Sequence, residues 1–181
     1  LGYGLPIGGV LATEGAVIPY AVGVDIACRM RLSIYPLSPI VLQQQAGKFE
    51  NALIENTVFG TGGEWRGKQT KHEVLDDRDW VATGFLNHLH DLACRQLGTS
   101  GTGNHFVEWG TFKLKKYDEE LNLEVGTYLA LLSHSGSRGV GFKIANHYSK
   151  AAMGQHPKLD KTVQHLAWLP LGSELGQEYW I

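Results

Sequence analysis

Glycine is the residue type that most constrains this chain, since 23 of its 181 residues are glycine and many stand in pairs or near-pairs. The clusters are Gly8–Gly9, Gly62–Gly63, Gly101 with Gly103, and Gly136 with Gly139 and Gly141. Glycine adopts backbone conformations that other residues avoid and lets the backbone approach a neighbouring group closely. The pattern therefore predicts tight turns, and positions at which the backbone comes close to another group.

The composition is that of an ordinary globular protein, with 43% hydrophobic, 19% charged and 10% aromatic residues. These values exclude a disordered tail and a coiled coil. The formal net charge of −2 does not indicate a nucleic-acid-binding protein, although a local basic groove is compatible with it. The chain has two cysteines and no run of about 18 apolar residues, so we expect a cytoplasmic protein with no membrane span.

Hydrophobic periodicity predicts an α+β protein. Residues 29–35 alternate basic and apolar side chains, as a half-buried strand does. Ser38 followed by Pro39 is typical of a helix start, and we expect that helix to run to Ile54. The further expected elements are a helix over Asp76–Leu97, a strand after the glycine turn in residues 101–109, a charged turn over Thr111–Glu120, a strand over Tyr128–Ser133 and a helix over Val140–Met153.

We expect these elements to form a single domain over residues 1–181. Its core would be a mixed, irregular β-sheet with surrounding helices and a metal cleft at the strand ends. The chain starts at Leu1 rather than Met and stops at Ile181 in what has the pattern of a helix start. We therefore expect the domain to be incomplete at both ends.

An acid and a thiol stand three residues apart in an apolar run, as Asp25-x-x-Cys28. A carboxylate is a hard ligand and a thiolate a soft one, so a converging pair can hold a borderline divalent metal. A cysteine in an apolar run is more often a small buried hydrophobe. The choice depends on whether two distant histidines, His105 and His134, belong with this pair.

Both histidines stand in polar, glycine-rich segments next to predicted strands, where sites are commonly mounted. One oxygen, one sulfur and two imidazole nitrogens suit zinc or manganese better than calcium or magnesium. The alternative for His134 is an ordinary loop histidine with a hydrogen-bond partner. Strand alternation would point His105 and Val107 away from the face that carries Asn104, Phe106 and Glu108.

The loop after the predicted strand, Ser133–Gly139, is rich in serine and glycine. Its backbone N–H groups could hold an oxyanion, with Arg138 as a bidentate phosphate ligand. Neither a Gly-x-Ser-x-Gly hydrolase motif nor a Walker phosphate-binding loop is present in the sequence.

Four stretches taken together resemble the RtcB family of RNA-splicing ligases, in the family's order. They are Gly4–Val10, Gly23–Cys28, Gly101–Glu108 and His134–Gly139. The resemblance implies an RtcB-like fold and an enzyme that uses GTP and manganese. Such an enzyme joins RNA with a 3′-phosphate or 2′,3′-cyclic phosphate to RNA with a 5′-hydroxyl. RNA, GTP and an activating protein are the implied partners, and no membrane is implied.

The resemblance also implies residue roles. Asp25, Cys28, His105 and His134 would be metal ligands, with Cys28 bridging two manganese ions. Arg138 would contact a phosphate or RNA. The residues implied to contact the guanylate are Asn104, His105, Phe106, Val107 and Glu108.

Two departures from the family pattern stand out. Arg29 follows the metal-binding cysteine, where the family usually has glycine. None of His147, His156 or His165 lies in the motif of the guanylylated histidine, so no catalytic nucleophile is assigned. We expect this polypeptide to be incomplete as a ligase. A metal-dependent phosphotransferase or hydrolase on the same scaffold, and a non-catalytic metal-binding module, remain alternatives.

Overall fold

The structure is a computed structural model that describes residue 5, residues 8–67 and residues 70–181. The start of the Gly4–Val10 stretch lies outside these residues, apart from Leu5. The elements in chain order are β1 (Ala16–Val17), α1 (Pro19–Val22), β2 (Arg29–Tyr35), α2 (Ile40–Gln44), α3 (Ala46–Asn56), 3₁₀ helices at Glu73–Asp76 and Arg78–Val81, α4 (Gly84–Gln96), β3 (Phe106–Leu114), β4 (Gly126–Ser135), α5 (Arg138–Gln155), a 3₁₀ helix at Gln164–Leu166, β5 (Leu169–Pro170) and α6 (Glu174–Trp180). The predicted α+β class is confirmed.

The chain packs as two compact units. Unit 1 comprises the described part of Leu1–Ala27 together with Arg66–Leu97 and Ser137–Ile181, and unit 2 comprises Cys28–Trp65 and Gly98–Gly136. The prediction of a single domain over residues 1–181 stays a prediction.

Unit 2 is built on a three-stranded sheet with β4 in the centre and β2 and β3 at its edges. Both pairings are antiparallel, from Arg29↔Ser135 to Tyr35↔Leu129 on one side and from Phe106↔His134 to Leu114↔Gly126 on the other. The expected mixed sheet is therefore corrected to an antiparallel one. For β3 and β4 the direct connection between the two strands favours this arrangement, because parallel neighbours need a longer crossover.

Helix α3 covers one end of this sheet. The Trp109 indole N–H donates to the Phe49 carbonyl oxygen at 3.1 Å, and the two rings meet edge to face at 5.0 Å. Tyr35 lies 5.7 Å from the Trp109 ring, and Leu129 is almost completely buried. Aromatic packing thus stabilises the end where β2 stops. The other end, where β2 and β3 begin and β4 stops, carries the candidate site.

Unit 1 surrounds α5 and a two-stranded antiparallel sheet in which Val17 of β1 pairs with Leu169 of β5. The buried residues of α5 recur every three or four positions, as on the core face of an amphipathic helix. The hydrophobic core of unit 1 consists of Val17, Tyr148, Ala152, Ala167 and Leu169.

The expected helix over Asp76–Leu97 starts later, at Gly84. Thr83 is its N-cap, because the Thr83 hydroxyl oxygen accepts from the Leu86 N–H at 3.0 Å. Upstream, the Asp77 carboxylate accepts from the Asp79 N–H at 3.1 Å and favours a 3₁₀ turn. Short polar side chains capture nearby N–H groups in this way and set helix boundaries.

Other boundaries also differ from expectation. The helix expected to run to Ile54 is interrupted at Gln45, whose φ of −131° separates α2 from α3. Strand β3 continues to Leu114, where we expected a turn from Thr111, because half-buried Phe112 and Leu114 continue the alternation. In the described residues, no helix combines the length and apolar character needed to cross a bilayer.

Candidate metal centre

Three strand ends bring Cys28, His105 and His134 together. Cys28 directly precedes β2, His105 directly precedes β3, and His134 is the last residue but one of β4. Since β2 and β3 both run antiparallel to β4, their starts lie beside its end. We call these three residues the metal cluster, and all of it belongs to unit 2.

The ligand atoms of the cluster lie within 4.8 Å of one another. The Cys28 sulfur is 2.7 Å from His134 Nε2 and 3.6 Å from His105 Nε2. In the described residues this is the one group of at least three His, Cys, Asp or Glu side chains that meets that distance. Cys28 is exposed and both histidines are half-buried, so an ion can reach the sulfur from solvent.

A second contact orients the His134 ring. Its Nδ1 lies 3.0 Å from the backbone carbonyl oxygen of Asn104. A carbonyl oxygen only accepts, so Nδ1 carries the proton, and in the neutral ring Nε2 presents a lone pair toward Cys28. Histidines that bind metals are commonly oriented by such a hydrogen bond on the other ring nitrogen.

The structure corrects the expected direction of His105. Strand alternation places it on the face opposite Phe106, yet both rings lie close to His134, at 5.1 and 5.6 Å between centroids. The ladder begins only at Phe106, so alternation does not govern the residue before it. Gly103, with a φ of +75°, makes the turn that leads His105 into the cluster.

The residues predicted to contact a guanylate are divided between the two faces of the sheet. Phe106 is paired directly with His134 and Glu108 with Leu132, so these two side chains share the face of His134. Val107 is opposite Ser133 on the other face. Asn104 contributes its carbonyl oxygen to His134. Their role in nucleotide binding stays a prediction.

Asp25, the fourth predicted ligand, belongs to unit 1. One of its carboxylate oxygens accepts from the Ser137 N–H at 2.8 Å and from the Ser137 hydroxyl at 2.9 Å. The three cluster residues are thus brought together and Asp25 is not part of that group. Its role as a ligand stays a prediction.

The structure shows partners for part of the loop at the start of α5, which we expected to hold an oxyanion. The Ser137 N–H donates to Asp25, and the Gly139 N–H donates to the side-chain oxygen of Gln96 at 2.9 Å. Two of the N–H groups expected to hold an anion therefore already have protein acceptors. We call Asp25, Gln96 and Ser137–Gly139 the anchored loop.

Arg138 lies in the middle of this loop as the first residue of α5. Its φ of +58° is in the left-handed region, which costs a non-glycine residue about 1–2 kcal/mol. The neighbouring hydrogen bonds at Ser137 and Gly139 hold that conformation. Its predicted contact with phosphate or RNA stays a prediction.

Sequence reasoning missed Gln96. It is buried, at 5% exposure, at the last position of α4, and it accepts from Gly139. A polar residue at the end of an apolar helical stripe was the available signal, but its partner lies 43 residues away in the chain. Buried polar groups almost always have such a partner.

The donor set fits a transition-metal ion. Around a tetrahedral ion, a sulfur and a nitrogen ligand lie about 3.6 Å apart, as Cys28 and His105 do. The contact between Cys28 and His134 would need to widen by about 1 Å to admit an ion between them. Sulfur and imidazole nitrogen are preferred by zinc, whereas manganese prefers oxygen. The cluster alone therefore favours zinc-like ions, and an added oxygen ligand would favour manganese.

Comparison with protein families identifies the family of the chain. The family profile described as "tRNA-splicing ligase RtcB" matches residues 1–94 and 82–181. The chain belongs to the RtcB family.

Individual relatives cover the chain almost completely. It is 29% identical over 214 aligned positions to the tRNA-splicing ligase RtcB of Thermococcus kodakarensis. That alignment covers 98% of this chain and 44% of the relative. It is 29% identical over 194 positions to the RNA-splicing ligase RtcB of Escherichia coli K12, with coverages of 99% and 45%. It is 31% identical over 213 positions to the tRNA-splicing ligase RtcB of Nanoarchaeum equitans, with coverages of 98% and 44%. The chain spans about half the length of the curated relatives it matches.

Proposed function

We propose that this chain supplies the metal-binding part of an RNA ligase. The ligase would join RNA with a 3′-phosphate or 2′,3′-cyclic phosphate to RNA with a 5′-hydroxyl, with GTP and manganese. The observation that carries the proposal is the convergence of Cys28, His105 and His134 at three strand ends, in a chain whose relatives are named RNA- or tRNA-splicing ligases.

The proposed metal ligands are the three cluster residues, with Asp25 adding an oxygen. A bound divalent ion would neutralise charge on phosphate oxygens, which is the main need of nucleotidyl transfer. His134 would be held in the ligating tautomer by Asn104. Asn104, His105, Phe106, Val107 and Glu108 would bind the guanylate beside the cluster, and Arg138 would bind a phosphate or RNA.

Phe106 and Glu108 suit that role through their placement. They lie on the strand face that carries His134, with Phe106 half-buried and Glu108 exposed. A flat aromatic ring can pack against a base, and a carboxylate can accept from the N–H groups of guanine. A second manganese ion bridged by Cys28 is part of the proposal, and no guanylylated histidine is assigned.

The two cysteines provide a matched test of the metal site. The bound manganese of the 181-residue chain should be measured by equilibrium dialysis for the wild type, Cys28→Ala and Cys94→Ala. Cys94 lies half-buried on α4 in unit 1, so it controls for loss of a thiol. We expect Cys28→Ala to lose the ion and Cys94→Ala to keep it. Equal metal content in all three proteins would contradict the ligand assignment.

The reaction needs a separate assay. The product of the intact open reading frame that encodes this chain should be incubated with GTP, manganese and RNA bearing cyclic-phosphate and 5′-hydroxyl ends. We expect joined RNA that requires both cofactors and is lost on Cys28→Ala. Metal binding without joining would contradict the ligase proposal and favour a non-catalytic metal-binding module.

A further inference from the structure

The two arginines of β2 project from one face of the unit 2 sheet. Arg29 and Arg31 are two residues apart on a strand, so their side chains share a face. They pair with Ser135 and Ser133 of β4. The intervening Met30 pairs with His134, so the arginines point away from the face that carries His134.

Both arginines are exposed and their charges are not neutralised nearby. Among the residues that the structure describes, neither guanidinium group has a hydrogen-bond or ion-pair partner. The positions beside them on this face hold Ser133, Ser135 and Val107, and none of these is acidic. Two cations therefore lie side by side in a protein whose formal net charge is −2.

The register of the sheet fixes the spacing of the pair. Residues two apart on a strand are separated by about 6.7 Å, and β2 is held to β4 along its whole length. Two guanidinium groups on a rigid strand can each bind a different phosphate of one polyanion. Arginine matches phosphate oxygens with paired N–H donors, which makes it well suited to this contact.

A protective role for the arginines makes a different prediction. Strand β2 is at the edge of its sheet, and charged side chains on edge strands prevent aggregation. That role needs charge along the edge and no ligand. It does not need two arginines that share one face, and it predicts no effect on binding to nucleic acid.

We propose that Arg29 and Arg31 form a binding site for the sugar-phosphate backbone of single-stranded RNA, on the sheet face opposite the metal cluster. The choice of RNA as the polyanion rests on the proposed function. The contact is to phosphates, so it adds affinity without reading base sequence.

Binding of a short, fluorescently labelled single-stranded RNA to the 181-residue chain, followed by anisotropy at several salt concentrations in EDTA, tests the site. We expect the double variant Arg29→Gln/Arg31→Gln to lose affinity about tenfold for every RNA sequence. We expect the slope of log affinity against log salt to become shallower by about 1.4, for two lost phosphate contacts on a single strand. Arg29→Lys/Arg31→Lys keeps both positive charges and should therefore keep the salt slope and most of the affinity.

Two controls remove a cation elsewhere. Lys113 lies on the same sheet face near the far end of β3, and Arg78 lies in unit 1. Lys113→Gln and Arg78→Gln should bind RNA like the wild type. The proposal is overturned if the double variant binds like these controls, or if the chain binds anionic lipid vesicles but not RNA. Since the assay contains neither metal nor GTP, failure of the ligase proposal would leave its result unchanged.

Discussion

The metal cluster of unit 2 and the anchored loop of unit 1 draw on the same two sequence motifs. In the motif Asp25-x-x-Cys28, the cysteine belongs to the metal cluster and the aspartate belongs to the anchored loop. From the segment His134–Gly139, His134 enters the cluster and Ser137 enters the loop. The motifs thus meet twice, once through Cys28 and His134 and once through Asp25 and Ser137.

The two regions differ in how their polar atoms are satisfied. In the anchored loop, Asp25 and Gln96 accept from N–H or O–H groups of the protein, and each such bond stabilises the fold by about 1 kcal/mol. In the cluster, the Cys28 sulfur lies 2.7 Å from His134 Nε2 and 3.6 Å from His105 Nε2, and these are the atoms that a metal ion would bind. A bound ion would add the binding free energy of its ligands to the stability of this arrangement. Substitutions in the cluster should therefore change metal affinity, and substitutions in the loop should change folding stability.

The largest effect is expected at His134. His134→Ala removes a ligand, and loss of a ligand should exceed the roughly 10–100-fold cost of losing an outer hydrogen-bond partner. We expect metal affinity to fall by more than about hundredfold in a calorimetric titration. His88→Ala, an exposed histidine on α4, is the matched control and should bind as the wild type does. A similar loss in both variants would remove the distinction between the regions.

A substitution at Gly141 tests how tightly the anchored loop is packed. A Cβ at this buried position on α5 would overlap the Ser137 side chain, which holds Asp25. We expect Gly141→Ala to lower the free energy of unfolding by about 2 kcal/mol in urea denaturation. Gly154→Ala lies on the same helix with open space around it and should be neutral or slightly stabilising. Equal stability of the two variants would show that the loop is not tightly packed.

The variant Ser137→Ala tests whether a change in the anchored loop alters metal binding by the cluster. It removes the hydroxyl bond to Asp25 and should cost about 1 kcal/mol of folding stability. If Asp25 serves only the loop, metal affinity in the same calorimetric titration stays at the wild-type value. A clear change in affinity would instead support Asp25 as a ligand, as the family resemblance implies.

The smallest effect concerns alkaline pH and the core of unit 1. Burial, followed by the Glu178 carboxylate and its hydrogen bond, raises the pKa of Tyr148 to about 12, and burial raises that of Tyr179 to about 12. Both tyrosines therefore favour folding below pH 10, and this contribution is lost as pH rises from about 10 to about 12. In Tyr148→Phe, the melting temperature should fall less steeply than in the wild type as the pH rises over that range. An unchanged pH profile would contradict the assignment.

Local patterns predicted the parts of the fold that depend on near neighbours. The alternation in residues 29–35 matches the bounds of β2, and the strand of residues 128–133 lies within β4. Residue chemistry also selected the three residues that the structure brings together in the cluster. What alternation could not give was the direction of His105, because that residue lies before the ladder and is turned by Gly103.

Long-range partners explain the remaining differences. The Ser137 N–H pairs with Asp25, 112 residues away, and no local signal specifies that pair. Gln96 and Gly139 likewise meet only in the folded chain. In the loop that has the composition of an anion site, the N–H groups of Ser137 and Gly139 therefore already donate to protein acceptors.

Titration with cobalt(II) tests the metal cluster most directly, because a thiolate bound to cobalt gives a sulfur-to-metal charge-transfer absorption that oxygen and nitrogen ligands do not give. The account predicts this band for the wild type and for Cys94→Ala, and its loss in Cys28→Ala. Absence of the band from the wild type, or its persistence in Cys28→Ala, would contradict the assignment of Cys28 as a metal ligand.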